Sequence, residues 1–276
     1  MHVSKTPRRF LSHQRHPVVL FTYGVALLAW ILFATRRLPT LGSAMAMDMA
    51  APGMPEAMAL SNGAMGVGLY LFVWGIMMTA MMYPSSAHAF RAYYDAEEPY
   101  DGKGPRTRAR KAVAVVSMMG TYTLVWLLTG LVPLAFNLAV PIADIAPERR
   151  VFLLAATLLV LSAYQLSSAK RRHLKHCRTP SGDFEGNGSG GRSAVRSGWR
   201  LSLDSVGCCW ALMALMVVVG SMNLLWMVAI TALISVEILA PDGEGLARGI
   251  GVLSGIAGVG LVVAGILWFL VVAGIL

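Results

Sequence analysis

Apolar residues in this chain gather into long runs separated by short polar or glycine- and proline-rich segments. Runs of roughly 20 residues, enough to cross a bilayer as a helix, lie near 18–35, 67–90, 112–136, 151–169, 206–236 and 250–273. The pattern predicts an all-α, polytopic transmembrane helix bundle of about six spans. The 206–236 run is longer than a bilayer needs and is expected to tilt or to extend past it. Residues 1–17 read as a basic tail. Residues 36–66 read as an external loop, broken by Pro39, Pro52 and Pro55, with little reason to fold alone. Residues 67–276 form a five-helix membrane domain, with a flexible Ser/Gly-rich linker at about 178–200.

Composition agrees with the pattern. The chain has 276 residues, 56% hydrophobic and 13% charged, with a mean hydropathy of +0.62, too apolar for a soluble domain of this size. The formal charge of +9 is set by topology rather than by a nucleic-acid partner, because no basic stretch is interleaved with aromatics. Eighteen Lys and Arg fall in the tail and in the 91–111 and 170–203 segments, against five in the alternate loops. That bias predicts a multi-pass protein with both termini cytoplasmic. A cleaved secretory leader is the alternative for the first run, but Arg36 and Arg37 directly after it favour a retained anchor.

Methionine does not follow the hydrophobic area. Six methionines lie between Met45 and Met65, four form the doublets Met77-Met78 and Met81-Met82, and four lie at Met213, Met216, Met222 and Met227. The apolar runs 151–169 and 250–276 contain none. Thioether sulfur is a soft ligand for copper(I), and unlike thiolate it survives in an oxidising compartment. In the fifth run Cys209, Met213, Met216, Gly220, Asn223 and Met227 are spaced 4, 3, 4, 3 and 4, which would place them on one helix face. In the second, Met77, Met81 and His88 come within reach of one face over about 16 Å. Helix seams and gap-filling methionines give such stripes too. Two antiparallel stripes that meet at thiols favour ligation.

The three cysteines, Cys177, Cys208 and Cys209, all fall at the basic, reducing side, where a disulfide framework is not expected. His173, His176 and Cys177 are spaced i, i+3, i+4 at the end of the fourth run, and Cys208-Cys209 open the fifth. A Cys/His cluster of this kind fits copper(I), or zinc if the geometry is tetrahedral. Met81, Met82 and His88 come to comparable depth. Asp204 reads as a helix cap, and Glu237 as an interfacial residue at the outer end of the fifth span.

Four segments carry a family likeness: Ala80-Met81-Met82-Tyr83-Pro84, Leu174-Lys175-His176-Cys177-Arg178-Thr179-Pro180, Gly207-Cys208-Cys209-Trp210-Ala211-Leu212-Met213 and Met222-Asn223-Leu224-Leu225-Trp226-Met227. Together they resemble a bacterial family of predicted metal-binding integral membrane proteins of unknown function, over about residues 67–270. The resemblance implies a polytopic helical membrane protein with a metal site whose candidate ligands are Met81, Met82, His176, Cys177, Cys208, Cys209 and Met213. Residues 1–66 carry no part of it, so metal capture by the methionine-rich loop is an expectation for this chain alone.

The expected function is handling of a soft metal, copper(I) before zinc, at or across the membrane. The metal would pass on to a metalloprotein or a membrane enzyme complex. No phosphate-cradling Gly-Lys-Ser/Thr loop is present to drive pumping. Two other readings remain: an accessory subunit that holds a membrane metalloenzyme together, and a quinone-linked thiol oxidoreductase using Cys208 and Cys209.

Overall fold

The computed structural model describes residues 16–35, 37, 50–96, 105–179 and 191–272. These residues form α1 (Pro17–Ala34), α2 (Met54–Ser61), α3 (Gly63–Ala96), α4 (Pro105–Leu128), α5 (Leu131–Ala139), α6 (Pro147–Gln165), α7 (Ser168–Arg178), α8 (Gly191–Gly220), α9 (Leu224–Leu239) and α10 (Gly243–Val272). No strand occurs among the described residues. Five stretches are long and apolar enough to cross a membrane: α1, α3, α4 with α5, α8 and α10. The pair α6–α7, bent by 67°, makes a sixth if counted as one span. The all-α bundle of about six spans is therefore present.

The central helix is α3, whose Met77, Met78, Met81 and Met82 are fully buried. It contains Pro84, which has no N–H to give to the carbonyl of Ala80 one turn back. That carbonyl is satisfied from outside the helix, by the indole Nε1–H of Trp30 on α1 at 2.9 Å. His16 packs on Tyr94 and pairs with Asp95, so α1 runs antiparallel to α3. Helix α4 is antiparallel as well, since Lys111 donates to the Tyr94 carbonyl at one end and Trp74 donates to the Trp126 carbonyl at the other. The Tyr122 hydroxyl bonds both Ser86 and Ser205, joining α3, α4 and α8. Helices α6 and α10 pack antiparallel, with Gly251 against Gln165 and Gly265 against Phe152.

The 206–236 run is not one span. Helix α8 stops at Gly220, whose φ of +120° is a conformation that L side chains rarely adopt. Asn223 then caps α9, its side-chain oxygen accepting from the N–H groups of Leu225 and Trp226. The chain folds back as a hairpin, and Glu237 returns to the depth of Cys208. The predicted stripe thus holds from Cys209 to Gly220 and breaks there, with Asn223 and Met227 belonging to the returning helix. Because of the hairpin, the Pro241–Gly245 turn lies beside Arg178 rather than on the opposite side. Helix α10 then carries Val272 toward the end of the bundle where α6 begins. His16 and Val272 accordingly stand at opposite ends, whereas a single 206–236 span puts both termini on one side.

Two other segments differ from expectation. Part of the 36–66 loop is the helix α2, with Pro55, Glu56 and Ala59 buried. Met54 and Met58 belong to it, while Met45, Met47 and Met49 lie outside the described residues. Residues 191–200, expected within the linker, are the first turns of α8, exposing Arg192, Arg196 and Arg200 and burying Ala194, Ser197 and Leu201.

Candidate metal centre

The turn between α6 and α7 builds the site. Ser167 accepts the Lys170 backbone N–H at 3.2 Å and starts a new helix at a sharp angle to the last. Lys170, Leu174 and Cys177 then recur at i, i+4, i+7, and all three are buried against the bundle. This brings Cys177 beside Cys208 on α8, close enough for the two thiols to interact. All three cysteines are free and buried. Cys209, one residue on, points about 100° away around the helix. Its S–H donates to the Ser205 carbonyl at 2.9 Å, within its own helix. The pair the fold assembles is Cys177 with Cys208, not Cys208 with Cys209.

Beside that pair lies a buried ion pair. Lys170 Nζ is 2.5 Å from Glu237 Oε2, 2.8 Å from the Cys208 carbonyl and 3.7 Å from the Cys208 sulfur. Both charged side chains are 1% exposed. The second Glu237 oxygen accepts from Gln165 Nε2 at 2.5 Å. Arg178 donates to the carbonyls of Glu237 and Pro241, pinning the end of α9 to the end of α7. A cation in contact with a thiol stabilises its thiolate, the form that binds metal.

The histidines behave differently. His173 and His176 both turn their Nδ1 to Asp204, at 3.0 and 3.3 Å, and are 35% and 47% exposed. They form a surface cluster on the flank of α7, apart from the inward-facing Cys177. Asp204 lies within α8 and serves as their acceptor rather than as a cap. His88 approaches the thiols by its Nε2, 2.8 Å from the Cys177 carbonyl. That bond uses the nitrogen as a donor, so it fixes α7 against α3 and offers no lone pair there.

The methionines stay in the picture. Met81, Met82 and Met216 are fully buried, and Met213 nearly so, in the same core as the three cysteines. Met213 also lines an apolar cavity of about 460 Å³ whose walls include Trp74, Trp126 and Trp210. Among the described residues, no three His, Cys, Asp or Glu side chains converge on a point where they could hold a metal. Two thiols supplemented by thioethers suit a soft monovalent ion.

Residues 71–261 match the copper chaperone family PpoB2, and the chain belongs to that family. The match covers the segments from α3 into α10. No curated protein and no solved structure matches the chain.

Lys170, Glu237 and Gln165 escaped the reading of the sequence as site residues. Lys170 sits in the run Lys170-Arg171-Arg172, which reads as a helix end projecting past the headgroups. Glu237 did carry a signal, being a lone carboxylate within the apolar stretch of α9.

Proposed function

We propose that this chain binds copper(I) as cargo between the Cys177 and Cys208 thiolates and passes it to an acceptor apoprotein at the basic end of the bundle. The observation that carries the reading is the meeting of two buried free thiols from α7 and α8, with Lys170 Nζ 3.7 Å from one sulfur. Two thiolates and one copper(I) sum to a single negative charge; the Lys170–Glu237 pair is itself neutral, but its cationic end is the one turned to the Cys208 sulfur, at 3.7 Å. Membership of a copper chaperone family supports the metal. The buried methionines of α3 and α8 support a thioether path to the thiols from the opposite end of the bundle. The basic end is assigned to the cytoplasm of a bacterial inner membrane, by the excess of Lys and Arg there.

Anaerobic copper(I) titration against a competing chelator tests the reading. Cys177→Ser and Cys208→Ser should each abolish tight, roughly stoichiometric binding, since a hydroxyl is a poor soft-metal ligand. Full binding in either variant would refute it. The contact between the two thiols also favours a second reading, a thiol–disulfide exchanger that uses Cys177 with Cys208. Quinone-dependent thiol turnover by the purified protein would support that reading instead.

A further inference from the structure

We propose that the cavity between α4–α5, α6 and α8 binds an acyl chain of an anionic glycerophospholipid, whose phosphate is held by Arg149 at the start of α6. The site is independent of the copper reading. Helices α4 and α6 both pack on α8, and the cavity of about 460 Å³ lies in the gap between them. Along α8 its wall runs from Val206 to Val218. At ~1.5 Å per residue that is about 18 Å, close to the ~15 Å depth of one leaflet of a ~30 Å hydrocarbon core. The wall is open sideways: Val132 is 69% exposed, Val160 51% and Phe136 39%. In a bundle that spans a bilayer, such an opening faces lipid tails.

The chemistry of the walls selects the occupant. Thr129 donates its hydroxyl to the Trp126 carbonyl at 2.6 Å, and Thr157 donates to the Leu153 carbonyl at 2.8 Å. The Trp74 indole N–H goes to the Trp126 carbonyl at 3.2 Å, and the Trp126 indole nitrogen is buried, with no surface on the cavity. With these groups engaged, the slot fits hydrocarbon better than a quinone ring, whose carbonyls would enter it without donors. Charge enters at one end. Leu153, Ala156, Thr157 and Val160 line the cavity from α6, and helical spacing brings Arg149, one turn before Leu153, to the same face. Arg149 is exposed. Its neighbour Arg150 is committed to the carbonyls of Ile145 and Ala143, and Glu148 points about 100° away around the helix. No side chain caps the first turn of α6, which leaves the positive end of its dipole to a phosphate beside the guanidinium. An acyl chain in the slot adds packing to α6, the helix whose far end carries Gln165 and leads into the segment with Cys177.

The test is native mass spectrometry of the full chain released from nanodiscs that contain phosphatidylglycerol and phosphatidylethanolamine in equal amounts. A phospholipid should stay bound to each chain, phosphatidylglycerol in preference. Arg149→Gln should reduce that preference about fivefold, the weight of one basic residue at an anionic surface, and leave phosphatidylethanolamine retention as it was. Ala214→Phe fills the slot from α8 and should release both lipids. If it disturbs folding, Ala156→Phe fills the same slot from α6, where the residue is exposed, and must release them too. Lipid retention unchanged by both fillings overturns the proposal, as does a headgroup preference that Arg149→Gln leaves intact. A quinone retained in place of phospholipid, and released by the same fillings, overturns it by giving the cavity to another occupant. Copper(I) is absent throughout, so failure here leaves the thiol reading where it stands.

Discussion

Replacing Lys170 by methionine tests the framework of the thiol site. The substitution keeps an unbranched apolar stem of similar length, so little cavity forms. It deletes three contacts of Nζ: Glu237 Oε2 at 2.5 Å, the Cys208 carbonyl at 2.8 Å and the Cys208 sulfur at 3.7 Å. Glu237 is then a buried carboxylate with only Gln165 to donate to it. Breaking a buried ion pair in this way costs about 3–5 kcal/mol, most of it the penalty of the orphaned charge. Removing that charge as well, in Lys170→Met/Glu237→Gln, should recover more than half of the loss. The coupling is read from a double-mutant cycle of unfolding in mild detergent. Copper(I) affinity of the single variant should fall about 10–100-fold, because the Cys208 thiolate loses its cation. A Lys170→Met protein within about 1 kcal/mol of wild type, or a double variant no more stable than the single, would refute the reasoning.

Three further outcomes are expected. Gly220→Ala should destabilise by about 1–3 kcal/mol, as the residue has φ +120° and its Cβ would lie 2.6 Å from the Ala50 carbonyl oxygen. Gly24→Ala, with open space around it in α1, should be neutral or stabilising, and equal effects at the two sites would dismiss the strain account. Burial pushes the Glu56 carboxyl above its ordinary range, against the opposing hydrogen bonds from Ser221 and Tyr70. The folded state therefore binds the extra proton. The stability from this group is full below the unfolded carboxyl range and is lost as pH rises through the folded value. Glu56→Gln should flatten that part of the pH–unfolding profile, and an unchanged profile would show that Glu56 does not titrate there. Finally, single cysteines placed at Ser61, Thr179 and Val272 in a cysteine-free chain should label from two sides, Ser61 with Val272 and Thr179 opposite. Val272 reacting together with Thr179 would undo the α8–α9 hairpin.

The spans were legible because a bilayer demands long apolar runs, and α1, α3, α4–α5 and α10 follow directly from them. The hairpin was not legible from hydropathy, since Gly220-Ser221-Met222-Asn223 interrupts the run too briefly to lower it. Its signal was local: a glycine followed three residues later by an asparagine that can cap. Once the stripe from Cys209 to Met227 is taken as one helix, that signal is hidden. Of the candidate ligands, Cys177 and Cys208 meet, and Met81, Met82, Met213 and Met216 lie in the core with them. Cys209, His173, His176 and His88 have other partners, because helical spacing specifies a face and not which neighbour that face meets. The contact of Lys170 with Glu237 joins residues 67 apart in sequence and depends on two chain reversals. Only the folded arrangement reveals it.

The central claim, that Cys177 and Cys208 together hold copper(I), is tested most directly by X-ray absorption and metal stoichiometry on protein loaded anaerobically with copper(I). The account predicts about one copper(I) per chain with sulfur ligands, lost in Cys177→Ser and in Cys208→Ser but retained in Cys209→Ser. Full sulfur-ligated copper in the Cys177→Ser/Cys208→Ser protein, or loss of copper in Cys209→Ser alone, would contradict it.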